Sequence, residues 1–242
     1  RFVVRIATRH IGAQHQRDQM AGPFQVPVAD VAVTLSDFTG LAGQAMASGE
    51  RMPLAAVDAP ASGRMAVGEA LTNLFAAPVE LERVKLSANW MAAAGEPGED
   101  AALYDTVRAV AMELCPALGI SIPVGKDSLS MRTRWTGADG QDRQVTSPVS
   151  LVVSAFASLD TVEGTWTPQL APGSALVVVD LGAGKHRLGG SMLAQVGNQF
   201  GDTVPDLDDP SRLVALAAAL SDLRAQGRVT AYHDRSDGGL WA

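Results

Sequence analysis

Residues 62–77 read Ser62-Gly63-Arg64-Met65-Ala66-Val67-Gly68-Glu69-Ala70-Leu71-Thr72-Asn73-Leu74-Phe75-Ala76-Ala77. Val67, Leu71, Leu74 and Phe75 recur at helical spacing, so the stretch reads as a helix with one apolar face, and Ser62 is its candidate cap. Working outward, short apolar runs at residues 26–34 and 54–57 precede it and a strand-like run at 84–90 follows. A helix of this kind buries its stripe against such strands. A second helix is expected over residues 99–118, where Leu103, Val107, Val110, Leu114 and Leu118 form one stripe; Pro97-Gly98 announces it and Gly119 ends it.

Two period-two runs come next. Leu129, Met131, Thr133 and Trp135 alternate with Ser130, Arg132 and Arg134, and Val149, Leu151, Val153, Ala155 and Ala157 form a second period-two run. The turn signal Gly137-Ala138-Asp139-Gly140 between them predicts a hairpin. Asp160 to Gly164, Pro168 and Pro172 then interrupt the pattern, so residues 159–173 are the expected linker between a first domain, 1–158, and the start of a second, 174–242. In that second part a strand is expected at 175–180, a helix at 188–200, a helix carrying Leu213, Leu216, Leu220 and Leu223, and a strand at 229–233. Strands and helices mix without strict alternation, which makes the class α+β. The opening Arg1 and the closing Trp241-Ala242 read as cuts within a longer protein.

The composition narrows the function. With 242 residues and 47% apolar content the chain can build a substantial core, while a formal charge of −7 and scattered Lys and Arg argue against a nucleic-acid groove. No run approaches the roughly 18 apolar residues of a membrane span, and no secretory signal opens the chain. Cys115 is the single cysteine, so no disulfide framework is expected, consistent with a cytoplasmic protein. Its place in an apolar stripe makes it a buried thiol rather than a nucleophile.

Three places carry candidate chemistry. Glu69 and Asn73, at i and i+4, leave the same helix face; they offer hard oxygen ligands to magnesium, and by themselves read at least as well as a solvated face. Asp30 is the one charge in an otherwise apolar run, where a carboxylate is expensive to bury unless paired or bound to metal; an edge carboxylate in water is the competing reading. In His233-Asp234-Arg235-Ser236-Asp237-Gly238-Gly239 a strand ends in acids, a serine and glycines, suited to a phosphate and its cation or to an ordinary capping turn. His233 is a further candidate ligand contact. Gly125-Lys126-Asp127-Ser128 is not a phosphate loop, because Gly119 is one residue too far away and Asp127 stands where Ser or Thr should be. Gly182-Ala183-Gly184 lacks the third glycine of a dinucleotide fingerprint.

Five ordered blocks together resemble the long, single-chain form of phosphoribosylformylglycinamidine synthase: residues 17–30 (RDQMAGPFQVPVAD), 66–73 (AVGEALTN), 85–91 (KLSANWM), 122–128 (IPVGKDS) and 233–239 (HDRSDGG). The resemblance implies two domains of the aminoimidazole ribonucleotide synthetase-like superfamily, a mixed-sheet domain contributing to a barrel-like assembly and then an incomplete α/β domain. It makes Asp30, Glu69, Asn73 and Asp234 magnesium ligands and sets the Ala29 backbone and Ser236 against ATP or ADP. It leaves the catalytic residues unassigned. The implied reaction converts formylglycinamide ribonucleotide to the amidine with ATP and glutamine-derived ammonia, in purine biosynthesis. The nucleotide held in this half is expected to be structural. The remaining domains, a glutaminase among them, would lie elsewhere in a full-length protein expected to be monomeric, and this chain would not complete the reaction alone. Thr8 departs from the family, which has an acid before the arginine at position 9. Alternatives are a related small ligase or kinase of the same superfamily, or a nucleotide-binding scaffold without chemistry.

Overall fold

The computed structural model describes residues 14–17, 20–24, 28–235 and 239. Its centre is helix α1, Ala59–Leu74, which lies across strands β2, Gly43–Glu50, and β7, Ser150–Leu159. These belong to a five-stranded sheet completed by β1, Ala32–Leu35, β3, Lys85–Met91, and β4, Ser121–Ser128, in the order β1-β2-β7-β3-β4. The β3–β4 pair is parallel and its neighbours are antiparallel, so the sheet is mixed and the class is α+β.

α1 begins earlier than the expected Ser62 cap. Asp58 is the cap, its side chain accepting a hydrogen bond from the Ala61 N–H at 2.9 Å, and Pro60 sits in the first turn where its missing N–H costs nothing. Ser62 instead donates its hydroxyl to the Arg51 carbonyl at 2.6 Å. The expected stripe is buried: Val67, Leu71 and Leu74 are fully inside the core with Ala66 and Ala70 beside them. Each large side chain of that kind contributes about 1.5–3 kcal/mol of burial.

Strand β2 carries no apolar run, and this is why its sequence, Gly-Gln-Ala-Met-Ala-Ser-Gly-Glu, does not announce it. Its inward positions are Gly43, Ala45, Ala47 and Gly49, alternating strictly with exposed residues. Ala45, Ala47 and Gly49 are small where α1 sits on the strand, and Gly43 is small because a Cβ there would meet the Thr34 carbonyl and Val162. A Cβ on Gly49 would fall onto the Ala66 carbonyl oxygen and the Ala70 nitrogen, and would stand 3.1 Å from the Ala70 Cα.

Residues 54–57 are not a strand. They fall in a 3₁₀ turn, Met52–Ala56, opened by Pro53, whose fixed φ and missing N–H suit a helical start and not a sheet ladder. Residues 99–118 are helical as expected, in three parts: α2, Glu99–Val107, a π turn, Arg108–Leu114, and α3, Cys115–Leu118. The wide turn precedes Pro116, which cannot donate to an i−4 carbonyl; the Cys115 N–H reaches back to Val110, five residues away. This helix connects β3 to β4.

The turn at residues 137–140 forms, but the hairpin it closes pairs β5, Arg132–Thr136, with β6, Asp142–Thr146. The 149–157 run is not its partner. It becomes β7 and pairs with β2 and β3, because its alternate side chains Leu151, Val153 and Ala155 find the α1 stripe there.

Beyond residue 174 the expected strands at 175–180 and 229–233 do not form among the described residues. A strand needs a neighbouring edge to bond, and Leu176 to Val179 have none beside them; they are exposed. The helix expected at 188–200 is reduced to α4, Met192–Val196, and the leucine-striped helix is α5, Pro210–Ala225, with Leu213 and Leu220 buried. Among the described residues no helix is long and apolar enough to cross a membrane.

Residues 164–232 are tied to the C-terminal end of α1, which has no basic residue of its own in its last turn. Arg224 of α5 supplies one. Its Nη2 donates to the carbonyls of Phe75 at 2.8 Å and Ala76 at 3.2 Å, its Nε donates to Gly164 at 3.1 Å, and its guanidinium lies 3.6 Å over the Trp166 ring. The Trp166 backbone N–H also donates to the Ala76 carbonyl at 2.9 Å. Carbonyls that the helix leaves unbonded at its end are thus satisfied from a segment about 90–150 residues away in the chain.

Candidate functional site

Asp30 stands in a bend just before β1, not inside the strand expected there; residues 25–27 of that run lie outside the described residues. Its side chain is 3% exposed, and its Oδ1 is 2.8 Å from Nδ1 of His233, itself 16% exposed. Asp234 completes a group: one ligand atom from each of Asp30, His233 and Asp234 lies within 4.8 Å of the others. The chain thus spends two carboxylates and an imidazole on one mostly buried spot, joining residues more than 200 positions apart. Buried carboxylates are costly to hold without a cation or dense hydrogen bonding.

α1 brings the remaining expected residues to the edge of this group through its polar face. The Thr72 hydroxyl is within hydrogen-bond reach of Asp234 Oδ2 at 3.3 Å and of the Gly68 and Glu69 carbonyls, each at 3.1 Å. Glu69, one turn earlier, is partly buried, with a side chain 9% exposed; it accepts the Glu50 N–H at 2.7 Å and pairs with Arg51 Nη2 at 2.9 Å. Burial pushes the Glu69 carboxyl above its ordinary pKa, and the nearby charges of Asp234 and Glu50 push the same way, against the Glu50 N–H and Arg51. Asn73 is buried and donates from Nδ2 to the Ser48 carbonyl at 3.1 Å. Neither residue is on a solvated face, so that competing reading falls.

Asp30 and Asp234 therefore meet directly, together with His233. Glu69 and Asn73 sit beside them at the end of β2, without Glu69 entering the close group. Ala29 is half-buried next to Asp30, and Ser236 lies outside the described residues. Glu69 and Asn73 also wall a cavity of about 600 Å³, shared with Ser48, Arg51, Gly190 and Ser191. Gly190 is required there: its φ is +68° and a Cβ would stand 2.9 Å from the Leu54 Cα.

The donor set suits a hard divalent cation. Asp30, Asp234 and Glu69 supply carboxylate oxygens, the ligands magnesium prefers. His233 already holds Asp30 through Nδ1, the usual way an imidazole orients a carboxylate, and its buried Nε2 has no hydrogen-bond partner among the described residues.

Thr72, Tyr232 and Arg51 were not singled out from sequence. Tyr232 donates its hydroxyl to the Thr72 carbonyl at 2.7 Å, and its ring stacks on Trp166 with centroids 6.0 Å apart. Burial pushes its phenol far above the ordinary pKa, with Asp234 and Asp30 adding to the effect, so it is a neutral donor. The one available signal was position: Thr72 lies between Glu69 and Asn73, and Tyr232 immediately precedes His233-Asp234.

Comparison with known proteins matches residues 1–158 to the model of the FGAR-AT PurM_N-like domain. Among solved structures, phosphoribosylformylglycinamidine synthase II from Thermotoga maritima is similar at 19% identity and a TM-score of 0.42, over 57% of this chain and 21% of that one. T. maritima PurL complexed with FGAR is similar at 15% identity and a TM-score of 0.46, over 81% of this chain and 26% of that one. A HypE–HypF complex is similar at 17% identity and a TM-score of 0.49, over 90% and 63%. This chain spans about a quarter or less of the length of those two synthase chains.

Proposed function

The chain belongs to the family of FGAR-AT PurM_N-like domains, and from that membership we propose that it forms part of the synthetase region of phosphoribosylformylglycinamidine synthase and holds a magnesium nucleotide. Residues 1–158 would be the N-terminal-type domain and residues from 174 onward the start of the C-terminal-type domain, joined by 159–173. The whole enzyme would use ATP to activate the amide oxygen of formylglycinamide ribonucleotide, so that ammonia released from glutamine by a separate glutaminase domain can displace it. The sheet face opposite α1, where Met46 and Phe156 are exposed, would meet other domains of the same protein in a barrel-like assembly.

The observation that carries the magnesium reading is the buried approach of Asp30, His233 and Asp234, with Glu69 and Asn73 on the adjoining turn of α1. A magnesium ion bound there would neutralise nucleotide phosphate charge. Asp30 and Asp234 would hold it, with Glu69 released from Arg51 and Asn73 completing the oxygen set. His233 would keep Asp30 oriented through Nδ1 and offer Nε2 to the nucleotide. Ala29, through its backbone, and Ser236 are the further proposed nucleotide contacts. The 600 Å³ cavity beside Glu69 and Asn73 is of a size to take a nucleotide. We assign the nucleotide a structural role, as ADP, because the resemblance to the synthase family implies a duplicated, structural nucleotide site in this half.

The test uses the full-length protein. Calorimetry with Mg2+ and ADP should show binding in the wild type and its loss in Asp30→Ala and in Glu69→Ala. Wild-type affinity in both variants would refute the ligand assignment. For the structural role, the nucleotide should co-purify and survive turnover; rapid incorporation of labelled ATP at this site would refute it.

A further inference from the structure

Tyr232 makes three contacts that join separate parts of the fold beside the acidic group. Its hydroxyl donates to the Thr72 carbonyl at 2.7 Å, its ring stacks on Trp166, and its N–H donates to the Thr167 carbonyl at 3.0 Å. Trp166 in turn is covered by the Arg224 guanidinium and bonded to Ala76 at the end of α1. The residue after Tyr232 is the imidazole that holds Asp30, and the one after that is Asp234, which accepts the Thr72 hydroxyl. Thr72 is therefore contacted twice by this segment, at its carbonyl by Tyr232 and at its hydroxyl by Asp234, which shares that hydroxyl with the Gly68 and Glu69 carbonyls. It sits on α1 between Glu69 and Asn73.

We infer that Tyr232 is a positioning residue for the cation site: by fastening the 232–234 segment to the Thr72 turn of α1, it sets Asp234 and His233 in register with Glu69, Asn73 and Asp30. The inference rests on the magnesium reading above. The physical reason is the chain geometry around Asp234. Residues 229–233 form no strand among the described residues, so no sheet ladder holds this segment. Among its anchors, alongside His233 on Asp30 and Asp234 on Thr72, are the Tyr232 contacts to Thr72, Trp166 and Thr167. Residues that orient metal ligands without touching the metal typically change metal affinity by about 10–100-fold when altered.

The experiment is Mg2+ titration of the full-length protein, Mg2+ alone and then with ADP, by calorimetry, with the urea midpoint measured in EDTA on the same samples. Tyr232→Phe keeps the ring on Trp166 and removes only the hydroxyl. It should weaken Mg2+ binding about 10-fold while leaving the metal-free midpoint near that of the wild type. Thr106→Val, which removes a buried hydroxyl of α2 bonded to the Ala102 carbonyl and not to any member of the acidic group, should leave Mg2+ affinity unchanged. Asp234→Asn should weaken binding strongly. If Asp234→Asn binds Mg2+ as well as the wild type, the magnesium reading itself fails. If Asp234→Asn weakens binding and Tyr232→Phe stays within two-fold of wild type, the positioning role alone is overturned. If Thr106→Val lowers affinity as much as Tyr232→Phe does, the effect is general destabilisation, and the positioning role is again overturned.

Discussion

Replacing Arg224 by alanine should cost the fold about 2–4 kcal/mol, the range for breaking a buried hydrogen-bonded charge network. The guanidinium makes three hydrogen bonds to the carbonyls of Phe75, Ala76 and Gly164 and lies over Trp166. Hydrogen bonds to a charged group contribute about 1.5–3 kcal/mol each, and a partly desolvated cation over tryptophan adds about 1–2 kcal/mol. Those figures do not add. Burial depresses the Arg224 pKa to about 10, which means that the charge itself is held at a cost that offsets part of the bonding. Water can also reach a half-buried site and serve some of the abandoned carbonyls. What remains is the loss of packing over Trp166 and of the favourable charge at the end of α1. Arg224→Lys should recover less than half of the loss, because an ammonium cannot present a planar fork to carbonyls on two segments while stacking on an indole. Urea unfolding followed by tryptophan fluorescence and by circular dichroism measures both variants. An Arg224→Ala midpoint equivalent to a loss below about 0.5 kcal/mol, the scale of an ordinary surface change, would refute the view that this residue closes the helix end.

Gly49→Ala should be more damaging than a glycine-to-alanine change in a strand normally is, since the added methyl meets backbone of α1 at Ala66 and Ala70; a loss of about 3 kcal/mol or more, or failure to accumulate folded protein, is expected from urea unfolding and expression yield. Arg64 and Asp206 form a two-bond ion pair at 2.7 and 2.6 Å between α1 and the segment before α5, both side chains mostly buried, so a double-mutant cycle with Arg64→Met and Asp206→Asn should return a coupling of about 1–2 kcal/mol, above that of exposed pairs. Mg2+ at a hundred times its dissociation constant should stabilise the protein by about 2.7 kcal/mol, read as a rise in melting temperature; EDTA should reverse the rise and Asp30→Asn should abolish it.

The first half of the chain was legible where large side chains state their period. Val67, Leu71 and Leu74 announce α1, and Val110, Leu114 and Leu118 announce the helix that follows β3, because burying such residues outweighs most local preferences; Val107, expected in the same stripe, is exposed. Strand β2 was not legible because it packs by absence: Gly43, Ala45, Ala47 and Gly49 line its inner face, and small residues carry no hydrophobic signal. The start of α1 was misplaced for a related reason. Asp58 and Ser62 are both good capping residues, and Pro60 between them settles the matter only once it is placed in the first turn. The hairpin was half right. Its turn depends on local chemistry at residues 137–140, whereas the choice between β6 and β7 as the partner of β5 depends on which run α1 can cover, a tertiary fact.

The candidate site divides in the same way, and the division bears on what holds it together. Each acid alone allowed a bland reading, and the structure removes that reading for Glu69 and Asn73 by burying them and for Asp30 by setting it against His233. None of these outcomes follows from local pattern, since Asp30 and His233 are 203 positions apart and Glu69 meets residues of β2. Tyr232 and Arg224 were missed because their work is done on backbone carbonyls of α1, which leave no trace in side-chain periodicity. Yet the residues that fasten 164–234 to that helix are the same ones that bring Asp234 alongside Thr72. Stability at the end of α1 and ligand placement in the acidic group are consequently one structural problem: a change at Arg224 should be felt as weaker Mg2+ binding as well as an earlier unfolding midpoint, whereas the Arg64–Asp206 pair, on the other end of the same helix, should affect the midpoint alone.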